Sequence, residues 1–334
     1  MKTPEPPFPA DPWCWNPNIL NKGWRWYRDL ACSYETRRVK VIRIVQGRVE
    51  VHGWADVKVE DWSRAWSADP SWYQAQTIQA FRYWGNVGGL TVSGSAFVCR
   101  GRNCAVAGGS YPRQRVGQHT TTLGHFRFKP IALKRGTKAH AKTSIEYVFH
   151  KPGYMSSDPV YARPPEVRCD HMLPGNSRPG CVFHKAMPIM LYSLKGPYAE
   201  LAKHIRAAQI SGLPGAYGRG KALKRLVNPE LQKKNRNRAC PSRPTRPAGL
   251  SCDEYPMAST HQGAFTVDPK ARPGVLRRSH RWCRMPKVPY KTGPKGFSVC
   301  LINEKHNSNG GGALDDFYVE ERVLGNDLFR IWIR

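Results

Sequence analysis

Ten cysteines fall along the chain in local twos, and that spacing limits what the sequence can fold into. The neighbours are Cys14 and Cys32, Cys99 and Cys104, Cys169 and Cys181, Cys240 and Cys252, and Cys283 and Cys300. None forms a Cys-x-x-Cys pair, which argues against a zinc ribbon. An even number in short-range twos reads as a disulfide framework, and the simplest set joins each cysteine to its neighbour. Spacing alone leaves other connectivities open. Disulfides persist in oxidising compartments, so the expectation is a secreted, extracellular protein. Residues 1–13 carry no apolar run of the kind a signal peptide needs, so export would rely on a leader already removed or on another route. No segment approaches the roughly 18 apolar residues of a membrane span.

Charge is the second constraint. Lys and Arg number 53 against 24 Asp and Glu, a formal net charge of +29. Such an excess draws the chain to polyanions in a salt-dependent way. It favours nucleic acid slightly and does not separate it from anionic cell walls or lipids. Hydrophobic residues at 40%, with 11 Trp, supply real cores and exclude wholesale disorder. A chain of 334 residues has room for about two domains.

The pattern changes along the chain. Residues 1–23, rich in Pro and Asn, read as an irregular arm tied down at Cys14. Arg38–Val41 and Ile42–Val45, the turn at Gln46-Gly47, and Val49, Val51, Val57 and Val59 follow a period of two. Leu90–Cys99, Phe126–Lys129 and Thr143–Phe149 add strand candidates. Residues 1–150 are thus expected to form a β-rich module, a sandwich or barrel-like fold. Residues 151–215 read as a Pro-rich connector followed by a helix over Tyr198–Ile210, with Leu201, Ile205 and Ala208 on one face. Residues 216–334 mix helices and strands. A helix is expected over Leu314–Leu324, after Gly310-Gly311-Gly312, and a final strand carries Phe329, Ile331 and Ile333. The overall expectation is an α+β chain.

Two adjacent carboxylates, Asp253-Glu254, stand out in so basic a chain. A polyanion binder loses affinity for each acid it keeps at its binding face, and a bound divalent cation is one reason to keep them. Mg²⁺ is held by one or two carboxylates, with water and phosphate oxygens completing the shell. On an extended strand the two side chains would face opposite ways, so both reach one ion only if the chain bends. Most such pairs are simply solvated. Asn307 offers a neutral carbonyl oxygen, and the three glycines after it permit close backbone approach or a flexible turn. His261 and His306 are candidate bases or phosphate contacts, though a surface histidine is the commoner case. His280 reads as a phosphate contact or as solvated. The basic residues Lys233, Lys234, Arg236 and Arg238, with Arg277, Arg278 and Arg281, are candidate DNA contacts, although a charge run is usually a solvated face.

Cys252-Asp253-Glu254-Tyr255-Pro256-Met257-Ala258 resembles the Cys-Asp-Glu-(Tyr/Trp)-Pro core of secreted bacterial NucA/NucB-type deoxyribonucleases. Asn307-Ser308-Asn309-Gly310-Gly311, Phe317-Tyr318 and Arg322-Val323-Leu324 with Asp327 are similar to that family's C-terminal half. The resemblance covers residues 235–334 and extends loosely upstream through Arg168-Cys169-Asp170 and Pro179–Phe183. It implies a disulfide-stapled nuclease domain, a compact variant of the His-Me finger. It also implies metal-dependent endonucleolytic cleavage of DNA with Mg or Mn. Asp253 would stand where the catalytic histidine usually does, as general base. Glu254 would be a metal ligand or its support, and Asn307 would lie near the metal. His261 would assist, because Gln262 stands where many relatives carry an acid. The other readings are a non-catalytic polyanion binder with a degenerate site, or a delivered antibacterial toxin paired with an immunity protein.

Overall fold

A computed structural model describes residues 20–97, 103–174, 178–242, 245–285 and 287–334. By packing, the chain divides into two units, Met1–Ala186 and Met187–Arg334. Cys14 and Cys99 lie outside the described residues. Cys32 and Cys104 are each disulfide-bonded, and Cys169–Cys181, Cys240–Cys252 and Cys283–Cys300 are joined as the spacing suggests.

The first unit is β-rich. Its strands are β1 (Arg25–Trp26), β2 (Leu30–Val45), β3 (Arg48–Trp66), β4 (Asp69–Gly85), β5 (Thr91–Phe97), β6 (Cys104–Arg115), β7 (Thr122–Pro130), β8 (Lys138–Ala141), β9 (Ser144–His150), β10 (Val160–Ala162), β11 (Val167–Asp170) and β12 (Gly180–Val182). Nine of them form one antiparallel sheet in the order β1-β2-β3-β4-β7-β6-β5-β9-β10, and β12-β11-β8 form a small second sheet against β3 and β4. The Pro-rich stretch after residue 150 is therefore not a bare connector: it carries β10, β11 and β12. The β2–β3 hairpin turns at Gln46 and Gly47, both at positive φ (48° and 77°), as a two-residue turn between twisted strands requires. Alternation then puts Val57 and Val59 into the core, where Trp72 stacks on Phe128 at 5.7 Å.

Asp61, on β3, is buried in this sheet and accepts a 2.8 Å hydrogen bond from Gln76 Nε2. Burial pushes its carboxyl up to about 7, and Gln76 and Arg37 only partly oppose that. An unfolded Asp titrates near 3.9, so the native state holds this proton more tightly. The stability it contributes is fully present below about pH 4 and is lost as pH rises through about 7. Asp61→Asn keeps the acceptor for Gln76 and cannot ionise. In urea unfolding, the variant should gain on wild type by up to roughly 4 kcal/mol between pH 4 and pH 8. A pH-independent difference would contradict this account.

The second unit contains β13 (Ile189–Tyr192), α1 (Ala199–Ile210), β14 (Leu223–Lys224), α2 (Pro229–Ala239), β15 (Leu250–Tyr255), α3 (Pro273–Leu276), β16 (Arg277–Arg278), β17 (Phe297–Asn303), α4 (Glu304–Glu320) and β18 (Leu328–Ile333). Two three-stranded sheets, β13-β18-β14 and β15-β17-β16, share a core with α1 and α4. On β18, Phe329 and Ile331 are fully buried while Leu328 and Trp332 are exposed, the alternation expected of a half-buried strand. No helix among the described residues is long and apolar enough to cross a membrane.

Two elements depart from the sequence reading. α2 lies in the basic run, which shows no apolar stripe. It is started by Asn228, whose side chain caps Leu231 N–H, and by Pro229 in the first turn. It docks through fully buried Asn235, which donates to the Ala258 carbonyl at 2.8 Å and accepts from Phe265 and Thr266 N–H at 2.8 and 2.9 Å. Hydrogen bonds replace the hydrophobic face, so periodicity could not reveal it.

α4 starts ten residues before the expected Leu314, capped by Asn303, and runs straight through the three glycines. Gly310 is needed for close packing: a Cβ there would lie 2.2 Å from Leu201 Cδ2 on α1. Its carbonyl also accepts the Tyr192 hydroxyl at 2.7 Å. Gly312 faces open space. Gly310→Ala should therefore cost about 1–3 kcal/mol by overpacking, whereas Gly312→Ala should gain about 0.5–1 kcal/mol of helix stability. Thermal unfolding of the two variants checks the contrast, and equal effects would contradict it.

Candidate active site

The acid pair sits on β15, which pairs antiparallel with β17, and β17 leads directly into α4. Two strands and a helix thus form one continuous frame. Asp253 is opposite Cys300 in the register, next in sequence to Cys252. Both cysteines are cross-linked, Cys252 to Cys240 at the end of α2 and Cys300 to Cys283. The rung that carries Asp253 is held from both sides.

Asp253 is buried, and its Oδ2 lies 2.5 Å from Nδ1 of fully buried His204 on α1. His204 Nε2 is 2.8 Å from Ser298 Oγ, and Ser298 Oγ is 3.3 Å from His280 Nε2. An ionised carboxylate only accepts, so His204 donates through Nδ1. Burial, with His204 and Arg278 beside it, holds His280 down to about 4, so it is neutral at physiological pH. His280 belongs to this buried chain and is not a free phosphate contact. Asp253 Oδ1 makes no hydrogen bond among the described residues, and Asp253 lines a cleft of about 240 Å³.

Glu254 lines the same cleft, so both acids reach it. Burial pushes the Glu254 carboxyl up to about 7, and the Asp253 charge adds to the effect. The Ala258 N–H, Arg236 and Arg246 oppose the shift. Across the cleft, α4 contributes Asn307 and Asp315. The Asn307 amide donates to Ser251 Oγ at 2.9 Å and to the Cys252 carbonyl at 3.2 Å, tying helix to strand and leaving its own carbonyl oxygen without a partner among the described residues. The carboxylates of Glu254 and Asp315 and the Asn307 carbonyl are oxygen donors of the kind a hard divalent cation takes.

Arg225 and Arg236 are the cations of the cleft. Arg236 projects from α2 and is exposed. Arg225 stacks on Tyr318, with its guanidinium carbon 3.5 Å from the ring centroid, and its Nε and one terminal nitrogen are buried without a hydrogen-bond partner. A guanidinium left unsatisfied beside a cleft is a ready site for an anionic oxygen.

The other sequence candidates divide. Lys233 and Lys234 are exposed on α2 and Arg281 is exposed nearby in sequence to Cys283. Arg238 donates to the carbonyls of Asp268 and Pro269 at 2.7 and 2.9 Å. Arg277 donates to the Ala239 carbonyl at 3.2 Å. Arg278 is buried and bonded to the Ser211 and Gly293 carbonyls, the Ser211 hydroxyl and the Lys295 carbonyl, so it braces the fold and does not face solvent. His261 and His306 do not line the cleft: His261 N–H donates to the Lys224 carbonyl, and His306 Nδ1 lies 3.5 Å from Glu200 N. The Gln262 side chain accepts from Lys224 N–H at 3.0 Å, also away from the cleft. Sequence reasoning missed His204 and Asp315, and read Arg225 only as one cation of the basic stretch 213–239 that would track phosphate. His204 lies between Leu201 and Ile205 on the apolar face of α1, where a histidine usually reads as core.

Residues 221–332 match the family model Deoxyribonuclease NucA/NucB. That segment holds β15, β17, α4 and every cleft residue just described except those of β13 and α1. NucA/NucB is a deoxyribonuclease family, so DNA is the substrate the match implies. No curated protein and no solved structure matches the chain. His204 lies upstream of the NucA/NucB segment, so the residue that holds Asp253 is supplied from outside it.

Arg225→Met keeps an apolar stem over Tyr318 and removes the fork. DNA affinity, read by fluorescence anisotropy at fixed low salt, should fall about tenfold for the loss of one charge-assisted contact. The thermal midpoint should stay near wild type because the guanidinium bonds to little else. Unchanged DNA affinity would remove Arg225 from the binding surface.

Proposed function

We propose that this protein is an extracellular, metal-dependent endonuclease that hydrolyses DNA phosphodiester bonds with low sequence specificity. The observation that carries this reading is the convergence, within the family-matched segment, of Asp253 and Glu254 with the unsatisfied Arg225 in one cleft. The three disulfides Cys169–Cys181, Cys240–Cys252 and Cys283–Cys300 support an oxidising location.

The residues divide the work by their chemistry. Arg225 and Arg236 neutralise and orient the phosphate, because both present guanidinium donors to the cleft. Asp253 is fixed by His204 through one oxygen, which leaves the other to take the proton of the attacking water. Glu254, Asp315 and the Asn307 carbonyl would hold Mg²⁺ or Mn²⁺, which when bound stabilises charge on the phosphate and the leaving oxygen. The raised Glu254 carboxyl suits that task, since a nearby cation would favour its ionised form. Lys233 and Lys234 add exposed charge along α2 for the neighbouring backbone. Contacts to phosphate carry little sequence information, so selectivity should be low.

Supercoiled plasmid should be nicked in Mg²⁺ or Mn²⁺ and left intact in EDTA. Asp253→Asn should reduce turnover by about 10²–10⁴-fold, the range for loss of a general base, with little change in DNA affinity. Retained cleavage in the variant would overturn the role given to Asp253. Tight DNA binding by wild type with no cleavage under any divalent cation would favour a non-catalytic binder.

A further inference from the structure

The first unit contains a side-chain cluster that the nuclease chemistry does not use. His140 lies on β8, Glu166 immediately precedes β11, and His184 follows β12 by two residues. These are the three strands of the small sheet. Its register pairs Arg168 with Val182 and Cys169 with Cys181. Continued outward, it sets Glu166 opposite His184. On the other side of β11, Arg168 pairs with His140, one pleat from Glu166. The Cys169–Cys181 disulfide fixes this register, so the convergence belongs to the backbone rather than to chance rotamers.

His140 Nδ1 and His184 Nε2 lie 3.7 and 3.6 Å from the same carboxylate oxygen, Glu166 Oε2. The three ligand atoms all fall within 4.8 Å of one another. Both distances are too long for hydrogen bonds. They approach the edge of about 3.4 Å that separates ligands bound tetrahedrally at about 2.0–2.2 Å. His184 Nδ1 is buried without a hydrogen-bond partner, so neither nitrogen of this ring is satisfied among the described residues. A buried polar group left this way calls for a missing partner. Burial, with His140 and Arg168 nearby, holds His184 down to about 4, and burial also lowers His140. Two neutral imidazoles beside a carboxylate are in the protonation state that binds metal, not the state of an ion pair. The cations facing the cluster are Arg168, Lys138 and Lys185, and buried Arg168 is paired with Asp170.

We propose that His140, Glu166 and His184 form a divalent transition-metal site of the zinc class, which cross-links the three strands of the small sheet. Two imidazoles and one carboxylate select a borderline cation over Mg²⁺. The ligands are partly exposed, with side-chain accessibilities of 37%, 20% and 19%, which leaves a fourth position for water. The site is separate in residues and in metal preference from the oxygen-lined cleft that holds Asp253 and Glu254.

Tag-free full-length protein, stripped with chelator, is titrated with Co²⁺ in excess Mg²⁺, which competes for oxygen-donor sites. One equivalent should bind with visible d–d absorption and be displaced by Zn²⁺. His184→Asn and Glu166→Gln should each weaken that binding by at least about tenfold, while plasmid nicking in Mg²⁺ stays at the wild-type rate. Zn²⁺ should raise the thermal midpoint of wild type and not of either variant, and the midpoint without metal separates a lost site from a lost fold. Absence of the Co²⁺ spectrum in wild type, or its persistence in both folded variants, would overturn the site.

Discussion

The contact between His204 and Asp253 is the constraint on which the second unit's architecture turns. A buried carboxylate without a partner is costly, and truncating one member of such a pair typically costs about 3–5 kcal/mol. The partner here comes from α1, some fifty residues upstream, and its other nitrogen reaches Ser298 on β17. One imidazole therefore ties together a helix and two neighbouring strands, β15 and β17. It also decides which oxygen of Asp253 is left for the cleft. Fold and chemistry meet in a single hydrogen-bonded chain, and α1 cannot be treated as a linker to the nuclease segment.

The disulfides reinforce the same point of the frame. Cys252 adjoins Asp253 in sequence and Cys300 faces it across the sheet. Cys240 closes the helix that carries Arg236. The cross-links thus hold the acid, its cross-strand neighbour and one of the two cleft arginines in fixed relation. Functional groups placed on strands and locked by neighbours are held more accurately than groups on loops. The Asn307 amide, donating to Ser251 and Cys252, adds a fourth tie from α4.

What the sequence revealed follows from where its signals are local. The period of two in β2 and β3 is a property of neighbouring residues, and so were the cysteine twos and the Cys-Asp-Glu-Tyr-Pro core. The strands were underestimated in extent: β2 begins at Leu30, eight residues before the alternation was read, and β4 was not read, because its residues 71–78 are buried on both faces and show no period of two. α2 was invisible because Asn235, not an apolar stripe, docks it. The triple glycine looked like a turn, since only the packing of Leu201 explains a glycine inside a helix there. His204 gave no motif at all, and Arg225 was one undistinguished cation of a basic run. Their meaning depends on Asp253 and Tyr318, which are distant in sequence and meet them only after folding.

The net charge of +29 also takes on a different meaning once the arginines are placed. Arg168 and Arg278 are buried and bonded within the fold, and Arg238 and Arg277 are committed to backbone carbonyls. Charges committed in this way add to the long-range field but offer few free donors to a phosphate. Under the proposed function, contact is assigned to Arg225 and Arg236, which line the cleft, and to Lys233 and Lys234, exposed on α2. Counterion release tracks the phosphates actually neutralised, not the formal charge. On the proposed function, the salt dependence of DNA binding should follow the cleft and α2 rather than the formal charge, and the acids that seemed out of place in a basic chain share their cleft with Arg225 and Arg236.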